Sequence, residues 1–119
     1  MEEDIVKISM LLDIYGNILT EKQNLALNKY YNLDLSLAEI AEAEGISRQA
    51  VADNIQKGKE KLYYFEEKLG LYEKYVYEET EISEIIEILK KIGKNKNATK
   101  NADEITKVIS KLGNLKKFR

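Results

Sequence analysis

Arg48 and Gln49 stand side by side at the start of a helical run, directly after Ser47. An arginine presents paired donors that match the O6 and N7 of guanine, and a glutamine matches the N6 and N7 of adenine. The pair therefore has the residue types that read base edges in a major groove. Wound as an α-helix, the run turns Arg48, Gln49, Ala52, Asp53, Gln56 and Lys57 outward together. The same six positions suit a solvated surface on a motif reused for protein contact, and both readings stand at this level. Charge opposes the first. Asp53 faces phosphates in a standard docking, and Glu39, Glu42 and Glu44 precede it. Nucleic-acid affinity rests mainly on neutralising phosphates.

A second concentration of chemistry lies at the other end of the chain. Residues 93–119 hold eight Lys/Arg against two Asp/Glu, a net of +6 in a chain whose total is −2. Lys94, Lys96, Lys100, Lys116, Lys117 and Arg119 are candidate phosphate contacts, with Lys107 and Lys111 between them. The alternative is a solvated lysine- and asparagine-rich surface. Tyr63, Tyr64, Tyr72, Tyr75 and Tyr77 could stack on RNA bases, or pack at a helix junction with their hydroxyls in water.

Other chemistries are excluded by composition. With no cysteine and no histidine there is no disulfide, no thiol nucleophile, no histidine base and no Cys/His zinc site. No GxxxxGK phosphate loop occurs. The adjacent carboxylates Glu66 and Glu67 sit on what reads as a solvated helix, with no partner in the sequence to make them an acid–base pair. The sequence thus predicts no enzyme, no cofactor and no metal. Its longest uncharged runs fall far short of the roughly 20 apolar residues of a membrane span, and its first residues, MEED, are unlike a secretory signal. The expected location is the cytoplasm.

The elements that must position these residues read as helices. There is no proline, and 34% of residues are charged, which suits solvated helices joined by short turns. Ile5, Ile8, Leu12, Tyr15 and Leu19 recur at helical spacing, with a stop or bend expected near Tyr15. Thr20 to Gln23 and Ser36 to Glu39 are two capping boxes. Leu25, Leu27, Tyr30 and Tyr31 are the apolar positions of the helix the first one opens, and residues 32–34 read as a turn. The decisive stretch is Ser36 to Leu62, SLAEIAEAEGISRQAVADNIQKGKEKL. Ala41 is small where two helices cross, Gly45 supplies a turn with positive φ, Ile46 and Val51 lock the second helix on the first, and Ser47 caps it. That pattern predicts a helix-turn-helix unit over residues 36–57.

Beyond it, Val51, Ile55, Gly58, Leu62, Phe65 and Leu69 alternate at spacings of four and three, so Leu62, Phe65 and Leu69 are candidates for a homodimer seam. A stop follows at Gly70. Another helix is expected from Glu78 to Ile92, with Ile82, Ile85, Ile86, Leu89 and Ile92 inward. A last one is expected over residues 101–112, ended by Gly113.

Two resemblances rest on these residues. The order EIA…GISR…V resembles the fourth region of bacterial sigma factors. More widely, LLDIYGNILTEKQ, YYNLDLSLAEIAE, GISRQAVADNI and YFEEKLGLYEKY, between Ile5 and about Tyr75, resemble the YlxM family of helix-turn-helix proteins. That resemblance implies a small regulatory protein of the signal recognition particle pathway, whose partner is the particle's GTPase or its RNA. Direct DNA binding as a transcriptional regulator is the alternative. The expected fold is all-α: a sigma region 4-like three-helix core in residues 1–70, a long connecting helix, and a C-terminal helical region with a basic tail in residues 71–119.

Overall fold

The computed structural model describes residues 3–94 and 102–117. Among them are six α-helices and no strand: α1 (Ile5–Tyr15), α2 (Glu21–Leu27), α3 (Leu37–Glu44), α4 (Arg48–Leu69), α5 (Leu71–Gly93) and α6 (Ala102–Lys117). A short 3-10 turn, Gly16–Ile18, links α1 to α2, and α2 runs on into a single π turn, Asn28–Asn32. The chain forms two compact units, Met1–Tyr72 and Glu73–Arg119.

The first unit is built on a continuous core. Leu11, Leu12 and Tyr15 of α1, Ala26 and Leu27 of α2, Ile40 and Ala41 of α3, and Val51, Ile55 and Leu62 of α4 are buried together. Leu11, which the predicted stripe omits, is fully buried, whereas Ile5 is exposed. In α2 the inward residues are Ala26 and Leu27, and Leu25 and Tyr30 point to solvent. Both capping boxes form in full. Thr20 and Ser36 accept from the amides of Gln23 and Glu39, whose side chains accept from the cap amides in return. Each box meets two amides that no intrahelical carbonyl can reach. A close crossing of α2 and α4 fixes the packing. A Cβ on Gly58 would lie 2.6 Å from Leu27 Cδ1, so only glycine lets the helices approach this far without displacing that leucine.

An unforeseen polar row joins α1 to α2. Asn24, Asn28 and Asn32 stand one turn apart. The Asn32 amide donates to Asn28 Oδ1 (2.7 Å), the Asn28 amide to Asn24 Oδ1 (2.7 Å), and the Asn24 amide to the Gly16 carbonyl (3.0 Å). Ser9 of α1 donates to Asn32 Oδ1 at the far end.

Two boundaries differ from expectation. Helix α5 begins at Leu71, seven residues before Glu78. Gly70 takes a left-handed conformation, and the amides that open the new helix are met by side chains. Leu71 N–H donates to the Tyr15 hydroxyl (3.2 Å) and Tyr72 N–H to Glu66 Oε1 (2.9 Å), while the Tyr15 hydroxyl donates to the same carboxylate (2.8 Å). Helix α6 passes through Gly113 to Lys117. An interior helix glycine costs only about 1 kcal/mol relative to alanine. The turn beyond it is held by Lys116, whose ammonium reaches Ser83 Oγ (2.8 Å) and Glu79 (3.7 Å) of α5.

In the second unit, Ile82 alone is buried among the described residues. Ile86 and Leu89 are half-buried, and Ile85 and Ile92, expected inward, are exposed.

Candidate functional site

The helix-turn-helix is α3, a tight turn and the first half of α4. Gly45 ends α3 at φ 68°, and Ile46 N–H donates back to the Ala41 carbonyl at 3.1 Å, closing the turn over the small residue. Ser47 then adopts an extended conformation and accepts from Ala50 N–H at 3.0 Å, which starts α4 at Arg48. This backbone geometry points the first residues of α4 away from the core.

Of the six predicted outward residues, Arg48, Gln49, Asp53, Gln56 and Lys57 are exposed and Ala52 is half-buried, so they share one face of α4. Their donors are partly engaged. The Gln49 amide donates to Asp53 Oδ1 (3.1 Å) and the Gln56 amide to Glu60 Oε1 (3.2 Å), each one turn along the helix. The spacing of these pairs, glutamine four residues before a carboxylate, is visible in the sequence and is the signal for such bonds. Among the described residues Arg48 holds no ion pair. On the exposed surface of the helix-turn-helix, residues 36–57, Arg48 and Lys57 stand against Glu39, Glu42, Glu44 and Asp53, two cations to four carboxylates. Glu44 is paired with Lys29.

The expected seam residues do not share an exposed face. Leu62 is 0% exposed and belongs to the first unit's own core, so it has no surface left for a partner copy. Phe65 is half-buried and stacks on Tyr15 with ring centroids 6.3 Å apart, and only Leu69 is open to solvent. The four-three spacing that suggested a coiled seam is satisfied by α1 and α2 within the chain.

The tyrosines divide. Lys7 lies over Tyr63 (5.7 Å) and Tyr72 (5.6 Å), and Lys68 over Tyr64 (5.6 Å), so three of the rings are occupied by the protein's own ammonium groups. Burial, then the charge of Glu3, pushes the Tyr63 phenol above its ordinary range. A related node was not foreseen. Glu3 pairs with Lys59 and accepts from the Tyr31 hydroxyl (2.8 Å). The bond from Lys59 holds the Glu3 carboxyl below its ordinary value, and burial with the Glu3 bond raises the Tyr31 phenol.

In the tail, Lys94 is exposed just past α5, as are Lys107 and Lys111 on α6. Lys116 is engaged with Glu79 and Ser83. Lys96, Lys100 and Arg119, and the side chain of Lys117, lie outside the described residues. Among the described residues no group of His, Cys, Asp and Glu is placed to hold a metal, and no helix is long and apolar enough to cross a membrane.

Comparison with known proteins agrees with this geometry. Residues 2–109 match a family described as "UPF0122: Putative helix-turn-helix protein, YlxM / p13 like". A UPF0122 protein of Clostridium kluyveri is 47% identical over 96 residues, covering 81% of this chain and 86% of its own length. One from Clostridium botulinum is 48% identical over 74% of this chain and 81% of its own. One from Acetivibrio thermocellus is 39% identical over 89% and 91%. With the family's match spanning both capping boxes, the Gly45 turn and most of the C-terminal helices, the chain belongs to the UPF0122 family of YlxM-like helix-turn-helix proteins.

Proposed function

We propose that this chain is a non-catalytic regulatory protein of the cytoplasm that acts in the signal recognition particle pathway by binding protein or the particle's RNA. The observation that carries this reading against duplex readout is the charge on the helix-turn-helix surface. Two cations among four carboxylates offer little net neutralisation, and the glutamines best suited to adenine have an amide committed to Asp53 and Glu60. Repulsion from an acidic surface opposes the phosphate contacts on which DNA affinity depends. The pathway itself is taken from the family resemblance. The net charge of +6 over residues 93–119 favours phosphate contact through the tail, with Lys94, Lys96, Lys100, Lys117 and Arg119 as the candidates and Lys116 already engaged.

A second reading, a DNA-binding transcriptional regulator, is favoured by the exposure of Arg48 and Gln49 at the tip of α4. A salt titration of binding to signal recognition particle RNA and to random duplex DNA separates the two. Comparing the full chain, a truncation after Gly93 and Arg48→Ala, the pathway reading expects weak duplex binding throughout, with RNA binding lost on truncation and little changed by Arg48→Ala. A sequence reader expects Arg48→Ala to relax specificity by about 1–3 kcal/mol at one base pair, with truncation only flattening the salt slope. Tight duplex binding destroyed by Arg48→Ala would put the regulator first.

A further inference from the structure

Helices α5 and α6 carry more apolar surface than they cover on each other. Within the second unit they run antiparallel: a Cβ on Gly93 would lie 3.7 Å from Ile105 Cγ2, and Lys116 reaches Glu79 and Ser83 at the other end. Ile82 is buried and Ile86, Leu89, Ile105, Ile109 and Leu112 are half-buried, and their spacing assigns them to the seam between the two helices. A further row remains in solvent. Ile85, Ile88 and Ile92 of α5 are 43%, 57% and 45% exposed, and Val108 and Leu115 of α6 are 44% and 50% exposed.

These residues lie on one side of the pair. Most of the row follows a seam residue by three positions, Ile82 to Ile85 and Leu89 to Ile92 on α5, Ile105 to Val108 and Leu112 to Leu115 on α6, and Ile88 lies one further step of three beyond Ile85. Three positions rotate a helix face by about 60° backwards. Because the helices are antiparallel, the same displacement along each sequence turns both rows toward the same side. Lys116, Glu79 and Ser83 mark the opposite, polar margin. A contiguous apolar face rimmed by charge marks an interaction surface.

We propose that a second copy of this chain covers this face, packing α5 of each copy against α6 of the other. Charge selects that occupant and that pairing. In the second unit, α5 holds Glu73, Glu78, Glu79, Glu81, Glu84 and Glu87 against three lysines, while α6 holds four lysines against Asp103 and Glu104; one pair, Lys116 with Glu79, is already made within the chain. Crossing the copies sets an acidic helix on a basic one twice, as a two-fold interface requires. Pairing α5 with α5 would set acid against acid. The 16 residues of α6 extend about 24 Å. A face of that length and two helices wide approaches the roughly 800 Å² per partner of a standard stable interface.

The test uses the full chain, which has no native cysteine, so each introduced thiol is unique. An Ile88→Cys chain mixed with a size-tagged Val108→Cys chain should form the mixed disulfide in excess over both same-site products. Sedimentation should show a dimer at micromolar concentration that weakens as salt rises. Ile88→Lys with Val108→Lys should shift it to monomer by tenfold or more in dissociation constant, with helicity retained because both sites are solvent-exposed. Leu69→Lys, exposed on α4, should leave the dimer unchanged. A monomer at 100 µM, which would leave the face to a different protein, overturns the proposal. So does a dimer that survives the double lysine variant, strengthens with salt, or cross-links chiefly Ile88→Cys to itself.

Discussion

The two units use their apolar residues in opposite ways. In Met1–Tyr72, four helices converge on one buried cluster, and even a tyrosine and a glutamine, Tyr15 and Gln23, are drawn inside with the Tyr15 hydroxyl and Gln23 Oε1 bonded. In Glu73–Arg119, isoleucine is abundant and scarcely buried. The difference is one of partners. A helix crossed by several neighbours can hide a wide apolar arc, whereas a helix with one neighbour can hide only a narrow stripe. The first unit closes around a core while leaving residues such as Val6 and Leu33 in solvent, and the second, among the described residues, buries only Ile82. The same contrast separates the chain's two candidate sites: an acidic helix-turn-helix held rigidly by its core, and a net-basic tail.

The comparison breaks most visibly at the core. Leu62→Ala should cost about 2–5 kcal/mol in denaturant unfolding, whereas Val76→Ala, exposed on α5, should stay within about 0.5 kcal/mol. Equal losses would mean the two units are packed alike. Next is Tyr15→Phe. It removes a hydroxyl that donates to Glu66 and accepts from Leu71 N–H, and a bond to a charged group is worth about 1.5–3 kcal/mol. Hydrogen exchange should then quicken at Leu71 and Tyr72 before the α3 amides respond. A smaller pair of effects should differ in sign. Gly45→Ala should destabilise by roughly 1 kcal/mol through its positive φ, since a Cβ there meets nothing within 4 Å. Gly113→Ala, in an open helix interior, should stabilise α6 by up to about 1 kcal/mol. Two thermal melts decide it.

The last effect appears in alkali. The phenols of Tyr15, Tyr31 and Tyr63, all in the first unit, are raised above 10.0, chiefly by burial. Folding holds their protons where the unfolded chain releases them. The stability they contribute is therefore fully present below about pH 10 and is lost as pH climbs through the folded values. An ultraviolet titration should show these three ionising late among the eight tyrosines, together with loss of helicity. A single transition at pH 10 with helicity intact would contradict it.

The helix-turn-helix was legible because its constraints are local. A cap oxygen, a glutamate three residues on, a small residue and a left-handed glycine each act within a turn or two of themselves. The outward residues followed from the same periodicity. What the sequence concealed depended on distant partners. Nothing near Leu71 shows that Tyr15 and Glu66 will cap its helix. The spacing from Val51 to Leu69 is compatible with a partner copy or with α1 and α2, and only the fold assigns Leu62 to the latter. Asn32 read as the start of a turn, and the regular spacing of the asparagines at positions 24, 28 and 32 was the sign of a ladder.

That ladder carries a constraint of direction. A side-chain amide has one end that donates and one that accepts, so a row of them has two self-consistent orientations. The carbonyl of Gly16 can only accept, so Asn24 must turn its nitrogen toward it. Asn28 must then do the same toward Asn24, and Asn32 toward Asn28. One backbone oxygen thereby dictates the polarity of every group out to Ser9, whose hydroxyl, free to rotate, completes the row as a donor. No single amide can reverse without setting like ends against each other. An aspartate at position 28, the product of ordinary asparagine deamidation, would remove the nitrogen and leave the sequence of directions without a solution. The join between α1 and α2 is thus a place where chemical ageing of one residue is felt by the whole row.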